Sequence, residues 1–304
     1  MRNDEALSVD EVADILQVSR NTVYALKDKG LLNSYKVGRI LRFTYNDVQA
    51  YIANSKKVTG KSQLFGVSDA TEHFVICGQD IILDVLSNYV AQTGVSSLRS
   101  YIGSYDALAA LYKDKAQVAS THLWDAETNE YNVPYVKKLL PGTLVIVVNL
   151  TYRMQGFYVA KGNPKGIKDW GDLFRPGIVL ANREKGSGSR ILLDEHLRLQ
   201  NANPFSIEGY HNETQSHIAV ASKVARGFAD VAVGSEKIAR QVEGISFVPL
   251  QKERYDLVIK QEDYDSRPVR AMMNILESGI MREEFASLGG YDTSDMGKIM
   301  WLSS

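Results

Sequence analysis

The chain has one cysteine, Cys77, in 304 residues. It can close no disulfide within itself and offers no cysteine cluster for zinc, which fits a reducing compartment. Its five histidines, His73, His122, His196, His211 and His217, lie too far apart in sequence to supply metal-ligand spacing. No apolar stretch approaches the roughly 18 residues a bilayer span needs, and the polar, acidic N-terminus has no signal-peptide core. A cytoplasmic protein is therefore expected. Also lacking is a G-x-S-x-G elbow with a Ser-His-Asp order, or a carboxylate pair spaced for acid–base work, so no enzyme is expected. The net charge of −1 is small, but it is unevenly spread. Up to Ser62 there are ten Lys and Arg against seven Asp and Glu, which leaves −4 for the remainder. A basic head on an acidic body suits nucleic-acid binding confined to the head.

What is present divides into two patterns. From Leu7 to Ile52, Ser8 precedes an acidic first turn and Val9, Val12, Ala13, Ile15 and Leu16 recur at helical spacing. Ser19 caps a second helix from Arg20 to about Lys29, closed by Gly30. Val23 and Leu26 face inward there, leaving Arg20, Asn21, Tyr24 and Lys27 outward. Arginine suits guanine, asparagine suits adenine, and serine suits either base or a phosphate. The run Tyr35–Phe43 alternates about Gly38 with Lys36, Arg39 and Arg42 outermost, the pattern of a hairpin wing over a phosphate backbone. Asn46 is expected to cap a third helix from Asp47 to about Asn54.

This run, with V-S-R-N-T-V-Y in the second helix and V-G-R-I-L-R-F in the wing, resembles the excisionase-like and MerR-like winged helix-turn-helix family. The resemblance implies major-groove contacts by Ser19, Arg20, Asn21, Tyr24 and Lys27, and backbone contacts by Lys36, Arg39 and Arg42. The implied partner is a double-stranded DNA operator, bound by a homodimer or higher homo-oligomer because two-fold sites need two-fold proteins.

Residues 55–71, rich in lysine, glycine and hydroxyls, read as a linker between a head of 1–54 and a body of 72–304. In the body, short apolar runs alternate with amphipathic helices, so an α/β fold with a mainly parallel sheet is expected. Ligands of such sheets sit where strand ends meet helix starts. Four junctions carry suitable residues: Gly78-Gln79-Asp80, Ser104-Tyr105-Asp106, the segment around His122, and Gly186-Ser187-Gly188-Ser189-Arg190. In the last, glycines let successive N–H groups point inward, the serines add donors and Arg190 adds charge, an anion cradle without the G-K-[ST] ending of a nucleotide phosphate loop. His217 follows amide and hydroxyl residues at another helix start.

These junctions, together with Gly103-Ser-Tyr-Asp-Ala-Leu-Ala-Ala-Leu, His122-Leu-Trp-Asp and Leu288-Gly-Gly-Tyr-Asp-Thr-Ser, resemble the periplasmic-binding-protein-like domain fused to helix-turn-helix heads and to some molybdenum-insertase-type proteins. The resemblance implies a type II, two-lobed α/β domain. Its first lobe would be 72–149 plus 251–304 and its second 150–250, with crossings near 147–152 and 248–250. It also implies a one-component transcriptional regulator with no cofactor and a small effector such as molybdate or tungstate. The ligand-binding candidates are Gly78, Gln79, Asp80, Ser104, Tyr105, His122, Gly186, Ser187, Gly188, Ser189, Arg190 and His217. Asp80, Asp106, Asp125 and Glu184 beside these loops keep an amino acid or other small organic ligand in view. An architectural DNA binder, or a ligand carrier with a vestigial head, remain the other readings.

Overall fold

A computed structural model describes residues 6–16, 18–28, 32–38, 40–48, 51 and 73–303. The chain divides into two compact units, residues 1–70 and 71–304. The linker expected over 55–71 lies outside the described residues.

In the first unit, β1 (Ala6–Leu7) leads into α1 (Val9–Leu16), α2 (Arg20–Asp28), β2 (Tyr35–Val37) and β3 (Ile40–Thr44). Ser8 and Glu11 form a reciprocal cap on α1: the Glu11 carboxylate accepts from the Ser8 N–H at 2.7 Å, and the Ser8 Oγ accepts from the Glu11 N–H at 3.3 Å. The wing closes antiparallel with Tyr35 opposite Arg42 and Val37 opposite Ile40, turning on Gly38 at φ +62°. The next helical turn starts at residue 45 rather than at Asp47. Its cap is Thr44, whose Oγ1 accepts from the Asp47 N–H at 3.1 Å while Asp47 accepts back from Thr44, so Asn46 is not the cap. Val12, Val23, Leu32, Phe43 and Val48 form its core.

The second unit is a mixed α/β body with the two-lobed curled sheet of binding-protein folds. Nine strands run in the order β11-β10-β12-β9-β13-β6-β4-β5, with β14 beside β9. They are β4 (Phe74–Cys77), β5 (Ser97–Ser100), β6 (Val118–Thr121), β9 (Val145–Ala160), β10 (Leu180–Arg183), β11 (Glu213–Thr214), β12 (Val231–Ser235), β13 (Ile245–Lys260) and β14 (Ile299–Leu302); β7 (Trp124–Asp125) and β8 (Glu130–Tyr131) form a separate pair. The helices are α3 (Ile82–Gln92), α4 (Ser104–Tyr112), α5 (Val133–Leu139), α6 (Gly188–Leu199), α7 (His217–Ala225), α8 (Glu236–Ala239), α9 (Arg267–Glu277) and α10 (Gly279–Leu288).

The sheet is parallel only towards its ends, where β4 joins β5 and β6 and β10 joins β11 and β12. Its centre is an antiparallel ladder of β9 and β13, each 16 residues long. The sequence pattern splits β9 at residues 150–155 because polar Thr151, Arg153 and Gln155 interrupt its apolar run; all three are buried in the structure. Ser206–Tyr210, whose sequence alternates like a strand, is a 3-10 turn and loop, and β11 follows at Glu213–Thr214.

Each half of the ladder belongs to its own core. Ile146, Val148, Leu150, Tyr255, Leu257 and Ile259 pack with α3, α9 and α10, while Phe157, Val159 and Val248 pack with α6 and the β10 and β12 strands. The expected crossings at 147–152 and 248–250 fall on these two strands. Among the described residues no helix is long and apolar enough to cross a membrane.

Gly156 sits where the facing strand leaves no room for a side chain. A Cβ there would lie 2.2 Å from the Val248 carbonyl oxygen and 2.6 Å from the Phe247 ring. The backbone atom cannot move without breaking the ladder, so Gly156→Ala is expected to lower unfolding free energy by about 1–3 kcal/mol. A urea midpoint equal to wild type would contradict this packing.

Candidate functional site

A cavity of about 220 Å³ lies where the loops after β4, β6 and β12 meet the N-terminal turns of α3, α4, α6 and α7. Helix starts leave N–H groups without intrahelical partners and carry the positive end of the helix dipole. At α4 the N-cap is Gly103, which supplies no side-chain acceptor. At α6 and α7, Ser187 and Ser216 cap the turns through their hydroxyls. Gly78, at φ +146°, carries the chain from β4 into the cavity wall, and a Cβ there would meet Ser120 Oγ at 1.9 Å.

The floor is built from buried charge. Arg153 on β9 is ion-paired with Asp80 and with Glu253 on β13, and its guanidinium lies 4.1 Å from the Tyr255 ring centroid. Asp80 Oδ1 also accepts from Tyr291 OH at 2.7 Å and from the Ile82 N–H at 2.9 Å. Glu253 takes a 2.8 Å hydrogen bond with His122 Nδ1. Burial alone would raise the Glu253 carboxyl, but the Arg153 charge and the hydrogen bond from His122 outweigh it and hold it at about 2. Burial pushes the Tyr255 phenol up to about 12 despite Arg153, and lifts that of Tyr291 further. Tyr255 OH and Ser120 Oγ are 2.7 Å apart. Burial, with Arg183, Arg153 and His122 close by, drives His217 well below its ordinary value, so it stands neutral. Its Nδ1 has no hydrogen-bond partner among the described residues.

Of the residues singled out from the sequence, Gly78, Gln79, Asp80, Ser104, His122, Ser187, Gly188 and His217 line this cavity together. Tyr105, Gly186, Ser189 and Arg190 do not. Tyr105 donates its N–H to the Gly186 carbonyl at 3.0 Å, joining the two loops behind the cavity, and Ser189 turns its hydroxyl to Gln155. Arg190, expected to supply charge to a ligand, is buried against Asp194, Glu213 and the Arg183 carbonyl and lies 4.1 Å over the Tyr210 ring. It sits three residues into α6, where its side chain folds back along the helix towards Asp194, four residues on.

The cations at the cavity are Arg153 and Lys237, which sequence reading passed over together with Ser235, Tyr255 and Tyr291. The one available signal was a cation inside an otherwise strand-like stretch. Among the described residues no cluster of three or more His, Cys, Asp or Glu could hold a metal ion.

In the first unit Ser19 caps α2 with Thr22, Tyr24 is 46% exposed, and Lys36 is exposed. Arg20, largely exposed, pairs with Asp10. Arg42 and Lys27 are partly covered. The Asn21 side chain and Arg39 lie outside the described residues.

Comparison with known proteins places both units. The profile of the PBP superfamily domain matches residues 87–277, and that of a helix-turn-helix domain matches residues 6–56. The uncharacterized protein YvgK of Bacillus subtilis (strain 168) is 38% identical over 308 residues, covering 99% of each chain. A Clostridium pasteurianum protein from the 5′ region of a 2Fe-2S ferredoxin gene is 56% identical over 110 residues, 36% of this chain and 97% of its own. Among solved structures, a phosphate transporter substrate-binding protein from Clostridium perfringens, with bound phosphate, superposes with a TM-score of 0.55 at 14% identity, covering 73% of this chain and 99% of its own. A histidine kinase sensor domain similar to periplasmic binding proteins gives 0.52 at 14% identity, covering 72% and 97%. At such identities the likeness concerns the fold alone.

The Glu253 arrangement has a pH signature. Its folded value of about 2 lies below its ordinary 4.5, so its stabilisation is complete above about 4.5 and disappears as pH falls through about 2. The shift corresponds to about 3 kcal/mol. In Glu253→Gln, stability should lose one proton's worth of slope across that window, followed by urea unfolding at successive pH values. An unchanged slope would mean that Glu253 is not held ionised.

Proposed function

The chain belongs to the PBP superfamily, and from that membership we propose that it is a ligand-responsive DNA-binding transcriptional regulator whose effector is a small oxyanion of the molybdate or tungstate kind. The helix-turn-helix domain supports DNA as the partner, and the binding-protein body supports a small ligand. The observation that carries the oxyanion is the state of the carboxylates around the cavity. Asp80 is taken by Arg153, Tyr291 and the Ile82 N–H. Asp125 is taken by Thr128 and Lys138, and Glu184 by Arg183 and Gln79. Asp106 is exposed and does not line the cavity, and Asp84, which does, is held by Arg99 and Tyr101. No carboxylate is thus set aside for an ammonium group, as an amino acid would require.

The donors fit an acceptor-only ligand better. Hydroxyls of Ser104, Ser120 and Tyr255 and the N–H groups of several helix starts surround a floor whose single arginine is already neutralised. Such a site holds an anion by hydrogen bonds and helix dipoles, with Lys237 adding positive charge to the lining. The reading is non-enzymatic, since among the described lining residues no serine hydroxyl is hydrogen-bonded to a histidine ring or a carboxylate.

In this reading the effector binds one arrangement of the two lobes more tightly than others. It alters operator affinity only through that difference, in a homodimer with one head per half-site. Fluorescence anisotropy on the protein's own upstream DNA, at fixed salt, should show a change in affinity of about 5–150-fold on adding molybdate or tungstate. Lys36→Ala should weaken binding to all sequences alike and reduce the salt slope by about 1. Equal affinity with and without every oxyanion tried would remove the effector, and response to an amino acid instead would replace its class.

A further inference from the structure

The charge and hydrogen-bond pattern around His122 constrains how an oxyanion is accommodated. Glu253 is 1% exposed, ion-paired with Arg153, and 2.8 Å from His122 Nδ1. An ionised carboxylate only accepts hydrogen bonds, so Nδ1 carries the hydrogen in this contact. A neutral imidazole then has a bare lone pair on Nε2. That nitrogen has no hydrogen bond to any described residue, and the ring lines the cavity over the first turn of α6, where a Cβ on Gly188 would lie 2.6 Å from Nε2. A fully deprotonated oxyanion also offers only acceptors. Acceptor would face acceptor wherever the ligand meets Nε2.

We propose that a dianion entering this cavity is taken up together with one proton from solvent, which lodges on His122 and turns Nε2 into a donor towards the ligand. The inference rests on the oxyanion reading above and adds the charge state in which the site operates.

The groups packed around His122 leave it as the acceptor of that proton. From β13 come Glu253, held ionised, and Tyr255, whose ring meets the imidazole edge-on at 5.3 Å and whose phenol stays protonated. From β9 comes Arg153, already positive. From α4 comes the uncharged hydroxyl of Ser104, which accepts from the His122 N–H at 3.3 Å. From α7 comes His217, which burial and two arginines keep neutral. His122 differs from His217 in having a carboxylate on its far nitrogen, so its positive form completes a chain of alternating charge from Asp80 through Arg153 and Glu253. With the proton added, these four groups sum to zero, and Lys237, whose Nζ donates to the Leu288 carbonyl, adds a further cation to the lining.

The test is calorimetry of the full chain with sodium molybdate at about pH 7.5, in two buffers of contrasting ionisation enthalpy such as Tris and PIPES. The expected result is uptake of about one proton per site, and a fall in affinity of about tenfold for each pH unit on the alkaline side. His122→Gln, which presents an amide donor at fixed charge, should bind molybdate with no proton uptake and a flat pH profile. Molybdate binding with the same enthalpy in both buffers would overturn the proposal and leave the oxyanion reading standing. Proton uptake that persists in His122→Gln would also overturn it. Failure of molybdate, tungstate, sulfate and phosphate all to bind would end both. The two-buffer comparison on the unaltered chain decides the matter even if the variant does not fold.

Discussion

The body of this protein depends on the ion pairs of Arg153. A buried guanidinium is tolerated only when its partners are in place, because an uncompensated buried charge costs several kcal/mol. Its partners come from separate parts of the chain: Asp80 after the first strand of the body, and Glu253 directly across the ladder in register with Arg153. Tyr291, more than a hundred residues from Arg153, closes the cluster by donating to Asp80. The pairing therefore specifies the register of the two long strands as well as the floor of the cavity. A slip by one residue would turn one of Arg153 and Glu253 to the opposite face of the sheet, away from its partner.

The placement of that cluster decides what kind of recognition the cavity performs. Had Arg190 pointed inward, as its glycine-serine context suggests, the site would present an unpaired cation beside an anion cradle. Instead Arg190 ties α6 to Asp194 and Glu213. The cavity's own arginine is spent on two carboxylates. Attraction for an anion then has to come from Lys237, from N–H groups at helix starts, from hydroxyls, and from groups whose charge can change.

How much of this is readable from sequence follows the range of each interaction. The Ser8–Glu11 cap and the turn at Gly38 are set by residues within three or four positions, and their patterns name them correctly. Asn46 was a plausible cap, but Thr44 with Asp47 forms the reciprocal pair two residues earlier, an ambiguity that local pattern cannot resolve. The continuity of β9 through Thr151, Arg153 and Gln155 was hidden because polar residues in a strand normally mark its end. Here they are buried by partners 70 to 140 residues away, such as Asp80 and the Asp292 carbonyl that accepts from Thr151. The same non-locality hid Tyr255, Tyr291 and Lys237. The helix-start glycines and serines announced the cavity, whereas its charged floor is a property of the assembled sheet.

The ladder also bears on how ligand binding could be felt away from the cavity. Its pairing is irregular at two places, between Pro249 and Gln251 and between Tyr255 and Asp256, and the Arg153–Glu253 pair lies between them. Irregular pairing removes ladder hydrogen bonds and increases local twist, so bending of the two strands is cheapest at these points. The segment between them is held stiff by buried ion pairs. The cavity wall takes Gly78 and Ser104 from the part of the sheet on one side, and Ser187, His217 and Ser235 from the part on the other. A ligand that hydrogen-bonds to both sides gains most when they approach, and the strands linking them yield on either side of Arg153. The cluster that fixes the site's geometry thus also limits where the body can flex, which makes the charge carried by Arg153 and Glu253 a mechanical as well as a chemical property of the fold.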